Sequence, residues 1–221
     1  MQLRVVLLQE LVRKKNERKH LSYVLSLGTL GTAANQLWRP IGTTLDKNSN
    51  KLYISDCNNH RIVAVDLSTT TSTVVFGATG GGSSSVHLYY PSHIYFDSST
   101  KSLYIANTDV HTIVQWVIGA TSWILVAGSV SSNGLSSVAL SSPGGMTLDT
   151  AGNLYVADTN NHRIQFFRSG SSVGTTIVGS AGIPGTTSSL LRNPRSVAVD
   201  SNFNVYVIDT NNHRLQMFQR C

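Results

Sequence analysis

The chain has 221 residues, 41% of them apolar and 13% charged, with a formal net charge of +6. The apolar fraction supports a real core, and the abundant Ser, Thr, Gly and Asn point to many short strands and turns rather than to helices. Residues 1–21 carry six Lys and Arg against Glu10 and Glu17, so this stretch alone holds +4 and the other 200 residues only +2, which argues against a chain-wide polyanion-binding surface.

Residues 1–21 read as a basic N-terminal arm, helical or disordered. Leu3, Leu7, Leu8 and Leu11 share one helical face, with Arg13, Lys14, Arg18 and Lys19 beyond it. The apolar run over residues 3–8, broken by Arg4, is too short for a membrane span and poorly ordered for a signal peptide. The expectation is a soluble protein with no membrane partner and an unspecified compartment. Cys57 and Cys221 fit neither a disulfide scaffold nor a metal spacing, and none of the sixteen Asn residues starts an Asn-x-Ser/Thr sequon.

Residues 22–221 form the second predicted domain. Its first strand is "SYVLSLG" at residues 22–28, and four units follow, opening at Pro40, Pro91, Pro143 and Pro194. Six residues after each Pro stands an Asp: Asp46, Asp97, Asp149 and Asp200. Tyr53, Tyr104, Tyr155 and Tyr206 are spaced by 51 residues, as are His60, His111, His162 and His213. Each unit holds short apolar runs separated by turn chemistry; in the third they are "GMTLD", "NLYVAD", "RIQFF" and "TTIVGS". The second and third runs are apolar nearly throughout, as in strands buried on both faces when one small sheet stacks on another. A period of about 51 with four strands per unit predicts an all-β fold: a β-propeller of four-stranded antiparallel blades.

The units resemble NHL repeats, a propeller family named for an Asn-His-Leu triplet. The shared pattern reads "PIGTTLD…LYISDCNNHRI" in the first unit, "PGGMTLD…LYVADTNNHRI" in the third and "PRSVAVD…VYVIDTNNHRL" in the fourth. The second unit, "PSHIYFD…LYIANTDVHTI", lacks one Asn, the Arg and the strand-ending Asp. The last unit stops after its third strand, and residues 22–28 match the fourth strands of the other units. The prediction is therefore a ring of four blades closed by N-terminal strand pairing with the last blade, which removes exposed sheet edges. A ring closed in this way is a monomer; an open one calls for a homodimer.

In antiparallel blades the Asn-Asn-His-Arg turns share a face with the long loops that precede each Pro, and such loops on a rigid scaffold carry binding. The repeated Asp56, Asn59, His60, Arg61, His111, Asp158, Asn161, His162, Arg163, Asp209, Asn212, His213 and Arg214 read as structural. Asn tolerates left-handed turns, Asp bonds nearby amides, and His and Arg reach carbonyls or an Asp of their own or the next blade. The turns are separated by whole blades, too far apart for metal bonds of about 2 Å, so no metal site, cofactor or catalytic residue is predicted. A peptide-amidating lyase related to the family holds zinc with a His directly after the inner-strand Pro. Here those places are Ile41, Ser92, Gly144 and Arg195. His93 lies one place further, near the central channel. The resemblance implies a non-enzymatic scaffold binding a protein or peptide on the loop face, with Trp38, Arg39, Tyr90, Arg192, Arg195 and His93 as candidate binding residues. Single-stranded RNA is the alternative partner, since some NHL propellers bind it with Arg and stacked aromatics. A metal-dependent lyase or hydrolase ranks last.

Overall fold

Each repeat unit folds into one antiparallel sheet whose strands follow chain order, because turns of four to six residues favour pairing of neighbouring strands. The computed structural model describes residues 6–7, 23–24, 30–77, 80–130 and 132–219. Strands β1 (Val6–Leu7) and β2 (Tyr23–Val24) pair with each other. The first blade comprises β3 (Pro40–Asp46), β4 (Lys51–Asp56), β5 (Arg61–Asp66) and β6 (Ser72–Phe76). The second comprises β7 (Pro91–Asp97), β8 (Ser102–Asn107), β9 (Thr112–Val117) and β10 (Ile124–Gly128). The third comprises β11 (Met146–Leu148), β12 (Leu154–Asp158), β13 (Arg163–Phe167) and β14 (Gly174–Gly179). The fourth comprises β15 (Pro194–Val199), β16 (Val205–Asp209) and β17 (Arg214–Phe218). The only helical elements among the described residues are four short 3-10 turns between the second and third strands of the blades.

The blades stack face to face as in a β-propeller, and each seam is a separate apolar core. Tyr53, Ile62 and Phe76 of the first blade meet Leu103, Ile105 and Trp116 of the second. Ile113 and Ala127 meet Leu154, Val156 and Phe167 in the next seam, and Ile164 and Val178 meet Val197, Val205 and Val207 in the last. Burying one such side chain contributes about 1.5–3 kcal/mol, so these seams dominate the stacking. Burial along the strands records the same stacking. β5 is buried at every position but its last, whereas β17 alternates between half-buried and exposed. The outward face of the fourth blade shows Ile208, Leu215 and Met217 at 45%, 64% and 50% exposure.

The closing strand is where structure and sequence reading part. Tyr23–Val24 pairs with Val6–Leu7 instead of β17, and the fourth blade has three strands among the described residues. A local antiparallel partner sixteen residues away is entropically cheaper to reach than one nearly two hundred residues along the chain. Apart from Val6–Leu7, which is strand rather than helix, the predicted N-terminal arm lies outside the described residues.

Candidate interaction face

The Asp-Asn-Arg positions of three blades build one clamp. Asp56 ends β4, and its Oδ1 accepts the Trp38 backbone N–H at 2.6 Å. Its Oδ2 accepts Arg61 Nε at 2.7 Å and Asn59 Nδ2 at 2.8 Å. The Arg61 guanidinium then donates to the carbonyls of Thr32, Ala33 and Gln36, and Asn59 donates to that of Gly31. The third blade repeats this with Asp158, Asn161 and Arg163 holding the carbonyls of Gly134, Leu135, Ser136 and Ala139. The fourth does so with Asp209, Asn212 and Arg214 on Gly185, Thr186, Thr187 and Leu190. A loop that crosses the surface has many carbonyls to satisfy, and the planar guanidinium donates to several at once. Burial pushes the Asp158 carboxyl upward, and the Ser141 amide, Asn161 and Arg163 oppose that push.

The histidines do a different job. Each occupies the left-handed region, with φ of 56°, 63°, 57° and 54° for His60, His111, His162 and His213. That turn aims the ring at the following blade. Nδ1 of His60, His111 and His162 accepts the backbone N–H of Tyr90, Ser142 and Asn193 at 3.1, 3.2 and 3.1 Å. These three acceptor-facing residues each precede the blade's Pro and are themselves left-handed. A Cβ on Gly128 would collide with the His111 carbonyl oxygen, so the strand that ends there requires glycine. Desolvation lowers the His60 and His162 pKa values, which favours the neutral ring that can accept a bond. His213 points out of the fourth blade and is exposed, and the Oγ1 of nearby Thr210 is buried without a partner. The equivalent Thr108 and Thr159 hydroxyls donate to the next blade's Pro143 and Pro194 carbonyls.

The second blade departs from the clamp. Asn107, Val110 and Thr112 stand where its neighbours have Asp, Asn and Arg, and Asn107 Oδ1 accepts only the Tyr89 N–H, at 2.6 Å. Asn107 Nδ2 and Thr112 Oγ1 are buried and unpartnered. An aromatic anchor holds its loop instead: the Trp123 indole N–H donates to the His87 carbonyl and its backbone N–H to that of Ser85. Tyr89 and Tyr90, from this loop, pack around His60 with ring centroids 5.1 and 4.5 Å away.

The sequence-predicted binding residues all lie where the long loops enter the innermost strands. Trp38 is 46% exposed and Tyr89, which completes the aromatic cluster with Tyr90, is 39% exposed. Arg39 lies near enough to Cys57 to act on its charge, and Arg192 likewise near His162. Arg195 and His93 are brought toward each other from the fourth and second blades. Among the described residues, no hydrogen bond or ion pair engages the side chain of Arg39, Arg192 or Arg195, whereas Arg61, Arg163 and Arg214 are committed to the clamps. What pattern reading missed is the left-handed residue before Pro91, Pro143 and Pro194, whose N–H is the histidine's target. Cys57 is buried and free.

Among the described residues no group of three His, Cys, Asp or Glu is placed to hold a metal ion. No helix among them is long and apolar enough to cross a membrane. A groove of about 480 Å³ opens elsewhere, in the seam of the third and fourth blades. Tyr155, Phe166, Phe203 and Phe218 line it beside Asp149. The oxygens of Asp149 already accept bonds from Ala151, Asn153 and Tyr155.

The NHL repeat model matches residues 37–64, 140–167 and 191–218, which span the clamped turns of the first, third and fourth blades and the strands on either side. A search of curated proteins found no match. Among solved structures, a structural genomics protein of unknown function from Bacteroides thetaiotaomicron is similar at a TM-score of 0.69 and 14% identity, over 81% of this chain and 47% of that one. An auxiliary nutrient binding protein from Bacteroides ovatus gives 0.65 and 18%, over 82% and 48%. Virginiamycin B lyase from Staphylococcus aureus, in a catalytically inactive form with quinupristin, gives 0.55 and 15%, over 81% and 55%. The chain spans about half the length of these structures, and at such identities they share its fold alone. The chain thus carries three NHL repeats in a β-propeller whose second, unmatched blade folds to the same plan.

Proposed function

We propose that the protein is a non-enzymatic scaffold that binds a protein or peptide on the loop face. The observation that carries this reading is the half-exposed aromatic cluster of Tyr89, Tyr90 and His60, in the same layer of loops as Trp38. Rigid aromatic side chains with a polar edge are the groups that anchor peptide partners. The repeated arginines support the same choice over RNA. Three are consumed by backbone carbonyls, which leaves Arg39, Arg192 and Arg195 as the free cations of this face among the described residues. A backbone-tracking site needs a continuous positive groove.

Peptide display against the purified protein tests the reading. Enriched peptides are expected to lose about tenfold or more in affinity with Tyr89→Ala, the range for a buried aromatic anchor. Poly-pyrimidine RNA measured alongside at two salt concentrations provides the contrary outcome. Tight, salt-sensitive RNA binding with no peptide enrichment would overturn the proposal in favour of a nucleic-acid partner.

A further inference from the structure

The seam between the third and fourth blades stays open as a groove at the end opposite the loop face. β11 and β15 run down to this end, and β13 and β17 finish there at Phe167 and Phe218. The groove measures about 480 Å³, within the range of about 300–1,000 Å³ for ligand clefts. Tyr155, Phe166, Phe203 and Phe218 line it. Tyr155 and Phe166 stand at 65° to each other with centroids 5.1 Å apart, so they form a corner and not a flat plate.

Two of these rings depart from the repeat. Phe166 stands in the column of Ala64, Gln115 and Met217, and Phe203 in that of Asn50, Lys101 and Gly152. The second column is the left-handed residue of the turn after Asp46, Asp97, Asp149 and Asp200, and Phe203 adopts φ 64° there. Gly and Asn suit that region and a bulky side chain does not, so the Phe203 ring lines the groove against its backbone preference.

Charge narrows the ligand. Among the described residues lining the groove, Asp149 is the one formally charged side chain. An adjoining cleft of about 310 Å³ is lined by Asp97 and the same Asp149, again with no Lys or Arg among the described residues. A carboxylate beside aromatic rings, whose faces are negative, suits a cation. The Asp149 oxygens are already occupied. Oδ1 accepts the Ala151 and Asn153 backbone N–H groups at 2.9 Å, and Oδ2 accepts Asn153 Nδ2 at 2.9 Å and the Tyr155 hydroxyl at 3.4 Å. These bonds use the roughly four lone-pair sites of a carboxylate, so its charge remains while an ammonium N–H would find no acceptor on it.

We propose that this groove binds a quaternary ammonium group, with the four rings as its walls and Asp149 as its counter-charge. A trimethylammonium head spreads its charge over methyl groups, has no N–H to satisfy and packs against aromatic rings. A free small molecule and a trimethylated lysine side chain share this chemistry. The site lies at the other end of the blades from Trp38 and the Tyr89 cluster and stands apart from the loop-face reading.

The test is isothermal titration calorimetry on the whole protein. The small probes are choline, ethanolamine and 3,3-dimethyl-1-butanol, the neutral isostere of choline. The peptide probes are Ac-Ala-Xaa-Ala-amide with trimethyl-lysine or lysine at Xaa. Saturable binding is expected for choline, for the trimethyl-lysine peptide or for both, and the tighter of the two assigns the source. Such a probe should bind about tenfold more tightly than its primary-amine counterpart, and choline about tenfold more tightly than the butanol. Phe203→Asn removes one ring and installs the residue that the first blade carries at this place, Asn50 at φ 53°. The variant is therefore expected to fold, which circular dichroism checks, and to weaken the trimethylated probe by about tenfold. Equal binding of the neutral isostere or of the primary amines overturns the site. So does an unchanged Phe203→Asn variant, or the absence of saturable binding by both trimethylated probes.

Discussion

The loop of the second blade and the loops of the other three blades cover the same place in the repeat by different physics. The first, third and fourth blades use a buried ion pair, such as Arg163 with Asp158 at 2.8 Å and side-chain exposures of 3% and 0%. The second uses Trp123, 8% exposed, and stacks its tyrosines on His60. The changes in the second blade are coupled. Once Thr112 replaces the arginine, an aspartate at position 107 would be a buried carboxylate without a counterion, so the neutral Asn107 keeps the one bond that matters and avoids the charge. Val110 follows the same logic: with no carboxylate to serve, an apolar side chain buried to 3% exposure replaces the asparagine. A charged clamp is therefore held as a set or given up as a set.

The largest effect should come from breaking a clamp from its cationic side. Arg163→Met leaves Asp158 fully buried without its counterion and strips three loop carbonyls and the Thr176 hydroxyl of their donor, and it is expected to cost about 3–5 kcal/mol in denaturant unfolding. A loss under about 1 kcal/mol would mean that the ion pair is incidental to the loop.

Asn107→Asp tests the coupling from the other direction. It installs the clamp carboxylate without its arginine, and a loss of about 2–3 kcal/mol is expected, with part of it recovered when Thr112→Arg is added. Equal stability of the single variant and the parent would show that the second blade tolerates a lone charge, and the comparison would lose its explanation.

The histidine staples should produce the smallest and most gradual effect. His60 and His162 hold folded pKa values below the ordinary 6.5, because burial disfavours the charged ring. Folding therefore favours their neutral form. The stability they contribute is fully present above 6.5 and is lost as pH falls through the lowered values. The denaturation midpoint should fall between pH 7 and pH 5, and less steeply when His60→Ala and His162→Ala are combined. A midpoint that rises on acidification in that range would contradict neutral acceptors in the seams.

The repeat and the blade order were legible from spacing alone, because each blade is a local antiparallel meander of about 51 residues whose turns name themselves through Asn, Asp and Gly. Conspicuous departures were legible too: the missing clamp of the second unit, and His93 in a column that otherwise holds Gly42, Gly145 and Ser196. Their partners were not. His60 bonds an amide 30 residues ahead, and Arg61 reaches carbonyls 25 to 29 residues behind. No periodicity encodes such pairings, since they depend on how far one sheet is rotated on the next. The same holds for the outer face of the fourth blade. Leu215 lies in the same column as the fully buried Ile62, Ile113 and Ile164, yet it is 64% exposed. The chain by itself determined that a blade forms there; whether anything covers it was decided only by the stacking, because burial belongs to the neighbour that is present and not to the residue.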